Sequence, residues 1–233
     1  MVLLGGCGGG ASADAGHNGN SSGRGNGSGS ERETASPGTV TDLIPGVGAA
    51  MRARIPANAH QVVAVYGEST TSADSTIALF TRHGDTWTRE RTWPGHNGKR
   101  GWTTDHHEGD NKSPVGVFTL TDAGGVLADP GSKLPYHRSA GFKAPRSWAK
   151  SHWHDFDLVV AINYNRVKGT SPLDPTRPQG QSKGGSIWLH MDHGSGTSAC
   201  VGQSKADMEY LLRTLDPAAH PVVVMGDIAD LEG

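Results

Sequence analysis

The apolar runs of this chain are short. Residues 61–66 (QVVAVY), 76–82 (TIALFTR), 157–164 (DLVVAINY), 186–190 (SIWLH) and 221–225 (PVVVM) are five to eight residues long. Runs of that length, bounded by Gly, Pro, Asn and Asp and rich in β-branched residues, build strands rather than helices. Residues 76–82 and 86–93 flank His83-Gly84-Asp85, the pattern of a hairpin. In the second of these strands alternation puts Trp87, Arg89 and Arg91 on one half-buried face. One segment is helical: in residues 204–215 (SKADMEYLLRTL) Met208, Leu211, Leu212 and Leu215 recur at i, i+3, i+4 and i+7. Ser204 caps it, Asp207 completes a box-like pattern, and Pro217 ends it. The expected fold is mainly β, a sandwich or partly closed barrel with one helix.

The 233 residues divide unevenly. Residues 8–38 carry almost no apolar side chain larger than alanine and cannot offset the entropy of ordering, so residues 8–40 read as a flexible Gly/Ser-rich tether. This stretch accounts for the low apolar share of 34%, and the remainder still suffices for a core. Residues 41–59 form a transition with some helical character near Ala49, and residues 60–228 the folded domain. The closing GDIADLEG reads as a loose end. With 21 Lys and Arg against 23 Asp and Glu, and no basic stripe, nothing points to nucleic acid. No run is long enough to span a membrane. A monomer is expected.

The chemistry gathers at residues 186–201, SIWLHMDHGSGTSACV. A strand delivers His190 near its end, and a Gly-rich return leads to Cys200, the one cysteine of the folded part. A nucleophilic cysteine needs a base within hydrogen-bond reach and donors for the developing oxyanion. His190 supplies the first, with His193 a competitor that spacing alone does not separate. The backbone around Ser198, Ala199 and Cys200 supplies the second. A backbone carbonyl or a turn group such as Asp192 or Ser195 is expected to orient the imidazole. The helix starting at Ser204 would favour the thiolate if its N-terminus faced the sulfur. His193, Thr197, Lys112 and Trp188 are secondary candidates for substrate contact. Lys112 and Glu108 either pair or line the cleft. The loop of residues 166–184, with three prolines, is long enough to be functional or mobile. Residues 123–156, rich in Trp and His, are expected to form a lid or wall.

Two motifs carry a family resemblance. Residues 186–201 resemble the catalytic motif of the YkuD family of L,D-transpeptidases, a strand ending in His and a return to T/S-x-G-C. Residues 108–118 (EGDNKSPVGVF) resemble that family's EGD-x-K-[ST]-P-x-G-x-F segment. The resemblance spans roughly residues 60–226. It implies a YkuD β-sandwich with the helix beside the cysteine, Cys200 as nucleophile, His190 as base and peptidoglycan stem peptides as substrate. It implies no cofactor, no metal, and sensitivity to carbapenems. Three positions depart from the pattern: Ala199 stands where the family has Gly, Ser198 where its better-known branch has His, and Gly202 where that branch has Arg or Asn.

Cys7, in MVLLGGC, resembles the lipobox of a bacterial lipoprotein. The two cysteines are therefore read separately, Cys7 for lipidation and Cys200 for catalysis. A lipid-anchored, extracytoplasmic cell-envelope protein is expected, touching the membrane through Cys7 and reaching the wall on its tether. Two other function classes fit the residues: a non-catalytic wall-binding module on the same scaffold, and a zinc-dependent wall peptidase. The latter would draw on His106, His107, Glu108 and Asp110, or on the H-x-H pair His152 and His154 with Asp155.

Overall fold

The computed structural model describes residues 38–233. The expectations for Cys7 and for residues 8–37 lie outside the described residues. The chain runs through β1 (Thr39–Thr41), α1 (Ala49–Arg52), β2 (Gln61–Gly67), β3 (Asp74–His83) and β4 (Thr86–His96). The short β5 (Trp102–Thr103) and β6 (Ser113–Pro114) pair with each other. Then come β7 (Gly116–Gly125), β8 (Tyr136–Arg138), β9 (Val159–Ile162), β10 (Trp188–Met191) and β11 (Val201–Gln203). α2 (Lys205–Thr214), β12 (Val222–Asp227) and α3 (Ile228–Glu232) complete the chain.

Eight strands close on themselves in the order β4-β11-β10-β9-β7-β12-β2-β3, with β3 pairing back onto β4. Closure leaves these strands no open sheet edge. The fold is mainly β and barrel-like, as the short apolar runs predict. β1 adds to β4 and β8 to β7.

Three local expectations change. A bulge in the β3–β4 hairpin sets Leu79 against Arg91 and Phe80 against Arg89, skipping Glu90. The extra residue reverses the alternation, so Arg91 leaves the face of Trp87 and Arg89. It reaches Asp207 of α2 at 2.8 Å and stacks on Tyr210 at 4.9 Å. Residues 41–59 are part of the domain rather than a transition: Ile44, Val47 and Met51 are buried in its core. The C-terminus is not loose. Asp227 caps α3 by accepting from Asp230 N–H, Leu231 is buried, and Gly48 N–H donates to the Leu231 carbonyl at 2.7 Å.

α2 forms as its periodicity predicts, with the Ser204 hydroxyl accepting from Asp207 N–H at 3.2 Å. Met208, Leu211 and Leu212 point into the larger apolar core together with Ile187, Leu189, Ala199 and Val201. The alternate residues Val159, Ala161, Trp188 and Cys200 belong to a second, smaller cluster with Phe142, Ala144 and Phe156. Side chains on a strand alternate between faces, so the smaller cluster and the helix lie on opposite faces of the same sheet.

Candidate active site

β10 lies between β9 and β11. It is antiparallel to β9, with Trp188 opposite Ala161 and His190 opposite Val159. It is parallel to β11, with Leu189 opposite Val201 and His190 opposite Gly202. Trp188 and His190 are two residues apart and share a face. Phe156 packs edge-on against both rings, at 5.2 Å and 5.3 Å between centroids. Cys200 stands one residue before β11, alongside Trp188, whose N–H donates to Sγ at 3.2 Å. The Ser186 carbonyl oxygen is 3.6 Å from Sγ, and Ser186 holds a left-handed φ of 53°. The parallel pairing thus puts the sulfur and the imidazole on one face, in adjacent strands.

His190 is fully buried. Its Nδ1 is 2.7 Å from the Met191 carbonyl oxygen. A carbonyl only accepts, so Nδ1 carries the hydrogen and Nε2 the lone pair. Nε2 is buried and has no hydrogen-bond partner among the described residues. Burial lowers the imidazole's pKa below its ordinary value, against the opposing pull of the Asp155 charge and the Met191 carbonyl. The neutral, basic form is favoured. The orienting group is thus a backbone carbonyl, and neither Asp192 nor Ser195 takes that role at Nδ1. Asp192 instead pairs with His96 at 2.8 Å.

The loop before Cys200 is held by two hydroxyls. Ser113, from the second motif, accepts from Gly98 N–H at 2.9 Å and donates to the Ala199 carbonyl at 2.7 Å. Thr197 donates to the Cys200 carbonyl at 2.6 Å. Among the described residues, Ser198 and Ala199 N–H donate to nothing. Ala199 is not among the residues with positive φ, so alanine is unstrained where the resembled motif has glycine. At Gly202 a Cβ would sit 2.9 Å from Asp192 Oδ1. The Asp192–His96 pair therefore occupies the space that a larger residue at position 202 would need.

The secondary candidates separate. Thr197 is buried and fixes the backbone. Trp188 is also buried, wedged between Phe142 and Phe156, and packs rather than presenting a surface to substrate. Lys112 and Glu108 do not pair: Glu108 binds Arg177 at 2.6 Å, and Lys112 offers its backbone N–H to Asp110. That Arg177 contact, with a buried Arg166–Asp122 pair at 2.8 Å, anchors the 166–184 loop. The N-terminus of α2 is met by its own Asp207, not by the sulfur.

Cys200 itself is disulfide-bonded in the structure, not the separate thiol expected. Cys7, the only other cysteine of the chain, lies outside the described residues. Cys200 and His190 are both buried. The 140–156 segment lies over their face, contributing Phe142, Trp148 and Phe156 to the cluster. The wall expected there is present.

The histidine clusters also rearrange. His106 pairs with Asp110 at 3.0 Å while Glu108 turns to Arg177. His152 and His154 do not face a common point. Lys150–His154 is a 3₁₀ turn, in which residues three apart align. His152 therefore meets Asp155 at 2.9 Å and His154 meets Asp157 at 2.8 Å. His193, the competing base, lies 3.1 Å from the same Asp155 carboxylate. Burial works against its protonation, but the bond to Asp155 and the charges of Asp155 and Asp192 outweigh it and raise its pKa. No sequence pattern joins His193 to Asp155 or Ser113 to Ala199.

Residues 60–224 match the YkuD family, described as the L,D-transpeptidase catalytic domain. No curated protein matches the chain. Among solved structures, one described as the structure of Bdellovibrio bacteriovorus Bd1075 aligns at 18% identity and a TM-score of 0.41. The alignment covers 72% of this chain and 48% of that one, so the chain spans about half the length of its match. No helix among the described residues is long and apolar enough to cross a membrane.

Proposed function

Because the chain belongs to the YkuD family of L,D-transpeptidase catalytic domains, which act on peptidoglycan, we propose that it is a cysteine acyltransferase of stem peptides working through Cys200 and His190. The observation that carries this reading is the state of His190. Its Nδ1 is committed to a carbonyl, and its Nε2 is uncommitted on the face that holds Cys200.

The acting form is the reduced one. His190 Nε2 takes the Cys200 proton, and the thiolate attacks the carbonyl of the third residue of a tetrapeptide stem. The N–H groups of Ser198 and Ala199, which have no partner of their own among the described residues, face the developing oxyanion. The tetrahedral intermediate collapses as His190 protonates the departing D-alanine amine, leaving a thioester. An acceptor amine, deprotonated by His190, then forms the cross-link; water in its place gives a carboxypeptidase. Ser113 and Thr197 hold the loop that carries both nucleophile and donors. No cofactor enters this scheme.

The location proposed is the cell envelope, with a lipid on Cys7. A thioether at Cys7 leaves no other cysteine in this sequence for Cys200 to pair with, so the anchored form carries Cys200 as the thiol. The test is incubation of the full chain, under reductant, with a disaccharide-tetrapeptide. D-Alanine release with dimer or tripeptide product, abolished in Cys200→Ser, supports the reading. Release that persists in Cys200→Ser overturns it.

A further inference from the structure

We propose that His152, Asp155 and His193 form a binding site for a borderline divalent transition metal, with Zn²⁺ as the fitting ion. The ligand set is not contiguous in sequence. His152 and Asp155 come from the 3₁₀ turn over the active-site face, and His193 from the turn that follows β10. The two segments are joined by Met191 N–H donating to the Asp155 carbonyl at 3.0 Å.

One ligand atom from each residue lies within 4.8 Å of the other two. His152 Nδ1 and His193 Nδ1 approach the same carboxylate oxygen, Asp155 Oδ2, at 2.9 Å and 3.1 Å. The two imidazole centroids are 4.1 Å apart. Zinc bonds of about 2.0–2.2 Å in a tetrahedron separate the ligand atoms by roughly 3.3–3.5 Å. Those two nitrogen–oxygen distances therefore open by only a few tenths of an ångström to admit the ion, and a water completes the fourth position. Two imidazoles and a carboxylate suit zinc over calcium or magnesium, which prefer all-oxygen shells.

A second observation points independently to a cation. The Asp155 side chain is 1% exposed and the His193 side chain 2%. Asp155 Oδ1 is buried without a hydrogen-bond partner among the described residues. Asp155 forms no ion pair with Lys or Arg among them. A buried carboxylate is costly unless positive charge and hydrogen bonds satisfy it, and two imidazoles on one oxygen leave the other bare. His190 is not part of the set, whose close ligand atoms come from His152, Asp155 and His193.

The test uses the full chain with Cys7→Ser and Cys200→Ser, which removes sulfur ligands and cannot catalyse. Its outcome is thus separate from the acyl-transfer reading. Titration calorimetry with zinc chloride, and elemental analysis after dialysis, should give one equivalent bound. Cobalt(II) should give the visible absorption of a four-coordinate ion. His193→Gln and Asp155→Asn should each weaken binding at least tenfold, and His152→Ala, at the more accessible ligand, serves if either fails to fold. His154→Ala should leave binding unchanged. No uptake at about 100 µM zinc overturns the proposal, leaving the cluster as a hydrogen-bonded clamp. So does equal affinity in the ligand variants, which would place the ion on surface histidines.

Discussion

The two faces of the β9–β10–β11 sheet follow the same alternation and bury different chemistry. On one, Ile187, Leu189, Val201 and the α2 residues Met208, Leu211 and Leu212 form an apolar layer. On the other, aromatic packing surrounds Cys200, His190, Asp155 and His193, and polar atoms are buried without partners. Burying apolar area stabilises at about 25 cal/mol per Å², whereas an unsatisfied polar atom costs about 1–3 kcal/mol. The first face stabilises the fold, and the second gives up stability to hold reactive groups dry and oriented. That contrast supports the second face as the proposed site, apart from any motif.

Substitutions should divide along this line. His190→Ala should slow acylation of Cys200 by about 10²–10⁴-fold with little change in melting temperature, read by stopped-flow or quenched mass spectrometry. Leu211→Ala, on the opposite face, should cost about 2–5 kcal/mol of stability in denaturant titration, while the folded fraction acylates at the wild-type rate. A rate loss in Leu211→Ala equal to that of His190→Ala would erase the distinction between the faces. Ser113→Ala should do some of both. It strands the buried Gly98 N–H, at about 1–3 kcal/mol, and frees the Ala199 carbonyl, slowing acylation while leaving His190 in place.

The smallest effect is in pH. Burial lowers the His190 pKa, so the unfolded chain binds more protons there. The stability it contributes is present above the ordinary histidine value of about 6.5 and is lost as pH falls through the folded value. Acylation, measured in chelator, should therefore hold at pH 6.5 and fall only below it. His193, with a raised pKa, has the opposite sign: its contribution is present below about 6.5 and is lost as pH rises through its folded value.

Periodicity and turn residues made most of the barrel legible. The α2 heptad spacing, the Ser204 cap and the Gly84-Asp85 turn are local signals, and local signals survive folding. That His190 and Cys200 come to one face of adjacent strands was legible through a motif. What surrounds them was not. The Met191 carbonyl that orients His190 has no side-chain signature, because any residue there offers the same oxygen. Ser113 reaches Ala199 across 86 residues through pairings that no spacing encodes. The H-x-H spacing at 152–154 misled because it assumes a strand, and a 3₁₀ turn aligns residues three apart instead. The reversal of Arg91 came from a single extra residue in a bulge, invisible to a count of alternation.

The most direct measurement is intact-protein mass spectrometry of the reduced full chain after incubation with a carbapenem. The expected result is one adduct per chain, mapped by peptide digestion to Cys200, absent in Cys200→Ala and slowed in His190→Ala. A folded, reduced protein whose Cys200 takes up no adduct, or an adduct formed equally fast without His190, would contradict a thiol activated by that histidine.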